Sequence, residues 1–229
     1  MPVTEFAVFT LRDSYDPIEL LEVVMECQEV QDDWVRANHP NDCAKRACVS
    51  RMYTDTTLSP DRVAITAPWQ SPAAHHEWID TAANRGIMAR FAAFLPGGAV
   101  PDHHCDDAGA AASPHPGFLF FHMDTAGRRA VLHQAFSSKE ALVVTRLAAQ
   151  GGGAGGREQL QAAYRQLEEA LVAEDPKDRV WAGWRIEKEK DQEELVVFRN
   201  ADLDANRLAP LQQHGKPIGR ELHLREIAP

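Results

Sequence analysis

Arg62-Val-Ala-Ile-Thr-Ala-Pro-Trp-Gln-Ser-Pro-Ala-Ala-His-His-Glu-Trp78 decides how the chain is read, because its backbone period changes within a few residues. Arg62 to Trp69 is rich in β-branched and apolar residues and reads as a strand. Ser71 or Gln70 can cap the helix that follows, with Pro72 near its first position, where a missing N–H costs nothing. The helical period then runs from about Ala73 to Leu95, and Pro96-Gly97-Gly98 stops it. Two histidines, His75 and His76, and two tryptophans, Trp69 and Trp78, thus share one strand-to-helix junction. Such a junction suits either chemistry or a packed hinge.

Upstream, Thr4 to Arg12 is short, aromatic and β-branched, and apolar on both faces, as in a strand covered on both sides. Asp16-Pro17 opens a helix to about Asn38, whose stripe of Leu20, Val23, Val24, Cys27, Val30 and Trp34 has the spacing of a half-buried helix. After the polar turn His39 to Asp42, Ala47 to Asp55 reads as a second strand, and Leu58-Ser-Pro-Asp61 is turn chemistry. Downstream, Ala99 to Gly117 has no period and reads as a loop, and Phe118 to Asp124 is a fourth strand. The order is β-α-β-β-α-β.

The remainder repeats that order. Glu140 to Thr145 can be laid on Glu5 to Thr10 with Glu, Val and Thr in matching places. Gly151 to Gly156 reads as a flexible loop with no phosphate-binding fingerprint. A helix from Arg157 to Glu174 follows, with Leu160, Ala163, Tyr164, Leu167 and Leu171 on one face, and Asp175-Pro176 ends it. Val180 to Lys188 and Glu194 to Asn200 are strands, a shorter helix covers about Asp202 to Gln213, and Glu221 to Ile227 is the last strand. The pattern predicts an α+β fold of two tandem ferredoxin-like βαββαβ units, residues 1–124 and a degenerate 140–229, joined by a linker at 125–139. Because both faces of the strands are apolar, the two sheets must pack together or curl into one closed eight-stranded barrel.

Composition narrows the partners. The chain has 229 residues, 44% of them hydrophobic and 25% charged, as in a soluble globular protein. A net charge of −10 with no dense Lys/Arg run speaks against nucleic acid or an anionic membrane surface. No apolar run approaches the ~20 residues that span a bilayer. No signal segment is visible at the N-terminus, and the four cysteines lack CxxC spacing, so the expectation is a cytoplasmic protein with reduced thiols.

The opening strand Glu5 to Leu11 and the series Trp69-x-Ser71-x-x-Ala74-His75-x-x-Trp78 resemble the dimeric α+β barrel superfamily, and within it the antibiotic-biosynthesis-monooxygenase (ABM) type. The likeness spans essentially the whole chain as two tandem copies. It implies a pseudo-dimeric α+β barrel within one chain, a monomer or a homodimer of such chains, with a pocket between sheet and helices for a ring-shaped apolar molecule. It also implies chemistry drawn from cofactor-free oxygenases, polyketide cyclases, decarboxylases and isomerases, with haem-handling proteins a further branch. The second copy departs from the pattern. Where the first has Trp69-Gln-Ser, it has Ala201-Asp-Leu, with no matching histidine. The first pocket is therefore the one expected to work.

His75 falls on the apolar stripe of its helix, where a neutral imidazole can act as general base or acid, or can be a satisfied core histidine. His76 is expected to face solvent. His122 ends the Phe118, Phe120, His122 face of the fourth strand, which faces either the helices and His75 or the core between sheets. Arg51 and Tyr53 share one strand face and can hold a carboxylate or stabilise an enolate, or can lie at the surface. Trp69, Trp78, Phe91 and Phe94 are candidate walls for an aromatic substrate, against the more common reading of ordinary core. Asp102-His-His-Cys-Asp-Asp107 has metal-ligand residue types, but adjacent ligands in a loop seldom close a site, so neither metal nor cofactor is expected. The reading is a cofactor-free enzyme acting on an apolar, polyketide-like small molecule by cyclisation, isomerisation or decarboxylation. Its alternatives are a cofactor-independent monooxygenase of phenols or anthrones, and a non-catalytic ligand-binding or stress-related barrel protein.

Overall fold

Strand β1 (Val3–Thr10) pairs on both sides, antiparallel, with β3 (Arg62–Trp69) and β4 (Phe118–Thr125), so that Ala7 lies between Ile65 and Phe120. A computed structural model describes residues 2–39, 50–57, 59–98, 117–137, 140–151, 153–174 and 179–227. β3 also pairs with β2 (Arg51–Asp55), which gives the first half the order β4-β1-β3-β2. In the second half β5 (Leu142–Ala149) pairs with β7 (Glu194–Asn200), which in turn pairs with β6 (Val180–Arg185). The other edge of β5 is shared by two short strands, β8 (Gly215–Pro217) and β9 (Leu222–Glu226). Two joins close the circle: β2 to β9, with Tyr53 opposite Glu226, and β4 to β6, with Asp124 opposite Trp184. The result is a closed antiparallel barrel of eight strands, with β8 extending the row that β9 begins. Closure leaves the ladder without long free edges.

Strict alternation sends one side chain set inward and the other toward the helices. Phe6 and Val8 point into the barrel with Phe121, Met123, Leu142, Trp181 and Phe198. The rings of Phe6 meet those of Phe121 and Phe198 edge-on at 5.7 and 5.3 Å, a favoured aromatic geometry. Ala7 and Phe9 point outward against Leu20, Val23 and Val24 of α1 (Pro17–Asn38). Asp16 caps α1 by accepting from the backbone of Ile18 and Glu19. On the second half, Leu160, Ala163, Tyr164, Leu167 and Leu171 of α4 (Gly153–Glu174) cover the outer faces of β6 and β7. No helix among the described residues is long and apolar enough to cross a membrane.

Several expectations need correction. The long second helix is two, α2 (Pro72–Ile79) and α3 (Ala82–Phe91), followed by a 3₁₀ turn at Ala92–Phe94. Thr81 is extended and its hydroxyl accepts from Asn84 N–H, so it caps a new helix instead of continuing the old one. The later part of the glycine run, from Gly153 on, forms the start of α4. A side chain at Gly156 would lie 2.1 Å from the Gln150 carbonyl oxygen, so glycine lets the helix approach the end of β5. The late helix is a 3₁₀ turn at Ala205–Leu208 and one turn of α5 (Ala209–Gln212), and β8 had no recognised signal. The expected linker is more than a connection. Leu132, Ala135 and Phe136 pack into the barrel interior, and Leu132 N–H donates to Thr4 Oγ1 at 3.3 Å. Finally, laying Glu5–Thr10 on Glu140–Thr145 pairs Ala7, which faces helices, with Leu142, which faces the barrel. That alignment is out of register by an odd number of residues.

Candidate active site

Ser71 caps α2 by accepting from Ala74 N–H at 3.2 Å, and Pro72 occupies the first turn. This start turns Ala74, His75 and Trp78 toward the sheet, with His75 only 3% exposed. Because Phe121 points into the barrel, its neighbours Phe120 and His122 on β4 must point to the helix side. His122 therefore meets His75, with Nε2 2.9 Å from His75 Nδ1. The open question of which face His122 takes is settled by that alternation.

Glu5 stands beside His122 on the neighbouring strand and on the same face. Its Oε2 is 3.3 Å from His75 Nε2 and accepts from the Trp69 indole N–H at 2.8 Å. The Trp69 ring also stacks on the His75 imidazole, with centroids 4.4 Å apart and planes at 16°. Glu187 reaches in from the turn after β6. Its Oε1 is 2.7 Å from His122 Nδ1, and its Oε2 accepts the His122 backbone N–H at 2.7 Å. Ile186 N–H donates to the His122 carbonyl, which pins that turn to β4. One continuous series results: Glu5, His75, His122, Glu187.

The two carboxyls at its ends are tuned in opposite directions. Burial pushes Glu5 up to about 7, against the smaller pulls of the Trp69 indole, His122 and Gln31. Burial also acts to raise Glu187, but the bonds it receives from the ring and backbone of His122 outweigh it and leave the carboxyl below its ordinary range. An ionised carboxylate can only accept. With both imidazoles neutral, Glu187 assigns the ring protons: His122 carries its proton on Nδ1, its Nε2 accepts from His75 Nδ1–H, and His75 Nε2 turns a lone pair toward Glu5.

A cavity of about 40 Å³ opens against this series, beneath α2 and α3. Glu5, Gln31 and His75 form its polar end, and Phe9, Met88 and Phe118 are among its apolar walls. Met88, Phe118 and Phe120 are half-buried, so the apolar end approaches the surface. At this size the cavity takes about two or three waters, or a molecule of few heavy atoms. A ring system enters only if a side chain swings aside, and Met88 is the flexible one.

The other expected site residues separate into groups. Trp78 lines the cavity and packs on Trp34, with ring centroids 5.6 Å apart. Phe91 and Phe94 belong to the core between α1 and the barrel, Phe91 edge-on to Phe9 at 5.0 Å, and they do not line the cavity. Arg51 and Tyr53 do share a face, but it is the inside of the barrel, across the sheet from His75. Arg51 donates to the Phe136 carbonyl at 3.1 Å and lies 3.8 Å from Glu226, while burial pushes the Tyr53 phenol up to about 12. Strand alternation places them where they cannot join His75. His76 is half-buried, its ring 6.1 Å from that of His122, rather than turned to solvent.

Two members of the series were missed. Glu5 had a signal, as a lone acid within a strand apolar on both faces. Glu187 had none, since it sits in a charged turn far along the chain. On the second half, Tyr164, Leu167, Trp184 and Leu211 fill the space between sheet and helices.

The Asp102–Asp107 cluster lies outside the described residues. Among the described residues no group of three or more His, Cys, Asp or Glu is placed to hold a metal ion. Haem does not fit here: all four imidazole nitrogens of His75 and His122 face partners, and the cavity has no room for a macrocycle. Cys27 is buried with its thiol pushed up to about 12, an inert state.

No family model matches the sequence, and no curated protein does. Solved structures share the fold. A protein from Fusobacterium nucleatum provisionally described as a monooxygenase superposes with a TM-score of 0.59 at 8% identity, over 99% of this chain and 93% of that one. An anthrone oxidase-like protein matches with a TM-score of 0.52 at 9% identity, over 98% and 90%. A chlorite dismutase variant from Candidatus Nitrospira defluvii matches with 0.54 at 11% identity, over 100% and 91%. What the chain shares with them is the fold, the dimeric α+β barrel.

Proposed function

We propose that this dimeric α+β barrel is a cofactor-free enzyme that moves protons on a small, mostly apolar molecule, with Glu5 and His75 as its proton-transfer pair. One observation carries the reading. A buried carboxyl held at about 7 faces His75 at 3.3 Å at the polar end of a cavity with apolar walls. A group poised near neutral pH exists in both forms, which is what general acid–base work requires. Ionised Glu5 takes an acidic C–H or phenolic proton, and protonated Glu5 returns it elsewhere on the same molecule. Cyclisation, isomerisation and decarboxylation through an enol all follow this pattern. His75 and Trp69 hold the carboxyl in place, so that much of the acceleration is orientation.

Oxygenation without a cofactor is the close variant. Deprotonation of an anthrone or phenol makes an anion that itself reacts with dioxygen, and the anthrone oxidase-like neighbour favours this branch. A ligand-binding barrel is the reading from another class, and the small size of the cavity favours it. The strand orders of the two halves, β4-β1-β3-β2 and β9-β5-β7-β6, support the proposal that the chain is two βαββαβ units closed on each other within one molecule.

Oxygen uptake with anthrone as probe separates these. Wild-type protein is expected to consume oxygen, and His75→Ala and Glu5→Gln to lose about 100-fold or more of that rate while keeping the far-ultraviolet circular dichroism. Full activity in His75→Ala, with only a lowered melting temperature, would remove His75 from the proton-transfer pair, and wild-type protein that bound anthrone without consuming oxygen would leave the binding reading standing.

A further inference from the structure

We propose that Glu187, contributed by the second half of the chain, is the solvent end of a proton path that recharges Glu5 through His122 and His75. The inference rests on the acid–base reading of Glu5 and gives the second half a part in the first half's site.

The geometry is two hydrogen bonds and one close approach in series: His122 Nδ1 to Glu187 Oε1 at 2.7 Å, His75 Nδ1 to His122 Nε2 at 2.9 Å, and Glu5 Oε2 standing 3.3 Å from His75 Nε2. Its two ends differ in access to water. The Glu5 side chain is 5% exposed and the Glu187 side chain 29%, with both histidines between them buried. When Glu5 holds a proton to be discarded, that proton passes to His75 Nε2. The Nδ1 proton of His75 passes to His122 Nε2, and the Nδ1 proton of His122 passes to Glu187. Three O–H or N–H bonds break and three form. Each imidazole ends in its other tautomer with no change of charge, and the negative charge moves from Glu187 to Glu5. Glu187 then gives its proton to water. The reverse sequence reloads Glu5.

Glu187 also sets the direction of the chain, because both its oxygens accept, one from the His122 backbone and one from the ring. An amide cannot do both. In Glu187→Gln the backbone N–H, which can only donate, claims the amide oxygen, and the amide NH₂ is left facing His122 Nδ1. That nitrogen must then be an acceptor, so the His122 proton moves to Nε2 and that of His75 follows to its own Nε2. Glu187 is thus a positioning residue as well as an exit.

Nitrogen-15 NMR of the histidine rings in the intact chain tests this without any substrate. Wild-type His75 and His122 are expected as Nδ1–H tautomers, and both are expected to become Nε2–H in Glu187→Gln. A merely structural role for Glu187 has no reason to invert His75, which it does not touch. Unchanged tautomers in the variant would overturn the proposal. Turnover supplies a second arm: Glu187→Ala is expected to slow oxygen uptake with anthrone at least tenfold, and added acetate to restore it at the opened position. An unslowed variant, or a slow one that acetate leaves unchanged, would also overturn it. Wild-type protein inert toward anthrone would count against the oxygenase branch alone, and the tautomers would still decide the path.

Discussion

Glu5 is the residue on which the site turns, and its burial makes a claim about stability as well as chemistry. Its carboxyl rises from an ordinary 4.5 to about 7 on folding. The folded state therefore binds the proton more tightly than the unfolded chain. The associated stability is fully present below about 4.5 and is lost as pH rises through about 7. The total is on the order of 3 kcal/mol, from ~1.4 kcal/mol per pKa unit. Denaturant melts of wild type and Glu5→Gln across pH 4 to 8 check this: the wild-type midpoint is expected to fall across that window relative to the variant. A constant difference would contradict it. The same residue shows how far sequence reading reaches. Period placed His75 on the inward stripe of its helix without any coordinates. It could not tell which side of the sheet His122, Arg51 and Tyr53 take, because strands apolar on both faces carry no marker of inside and outside. One buried neighbour, Phe121, resolves His122, and the Arg51 and Tyr53 contacts resolve the rest.

At the scale of elements, the break between α2 and α3 aims two helices at the site where one was expected. The run from Ala73 to Leu95 contains neither proline nor a helix-ending glycine, so its apolar period conceals the break. The signal that existed was Thr81 with Asn84 three residues on, a polar cap inside a helical period. Thr81 Oγ1 both accepts from Asn84 N–H and donates to the Trp78 carbonyl, tying the start of α3 to the end of α2. Thr81→Ala is expected to cost about 1 kcal/mol in an unfolding titration. Gly156→Ala is expected to cost more, about 1–3 kcal/mol, since its new methyl group meets the Gln150 carbonyl oxygen at 2.1 Å. A stabilised Gly156→Ala, as simple helix propensity would favour, would show that α4 does not press on β5 in this way. The glycine run reads as a loop in sequence because propensity ignores close approach.

The whole molecule is a barrel that neither half can close alone. β2 needs β9, and β4 needs β6. Part of the segment between the halves lies inside: Leu132, Ala135 and Phe136 are buried, with Phe136 3% exposed among side chains of both halves. The order of the main strands was legible because they are apolar, β-branched and bounded by turn residues, which the three-residue β8 is not. Closure was one of two arrangements that the apolar faces allowed, and the buried role of Leu132 to Phe136 had no period to announce it. Phe136→Ala is expected to cost about 3–5 kcal/mol. Native-state hydrogen exchange should then show protection falling together in β1 and β5. Loss confined to one of them would mean that the halves are separate cooperative units.

The proposed chemistry depends on a Glu5 carboxyl that exchanges protons near neutral pH beside His75. A carbon-13 NMR titration of the Glu5 side-chain carboxyl in the intact chain tests it most directly. A midpoint of about 7 is expected, moving back toward 4.5 where Glu187→Gln points the His75 proton at the carboxylate. A wild-type midpoint at the ordinary 4.5 would contradict it.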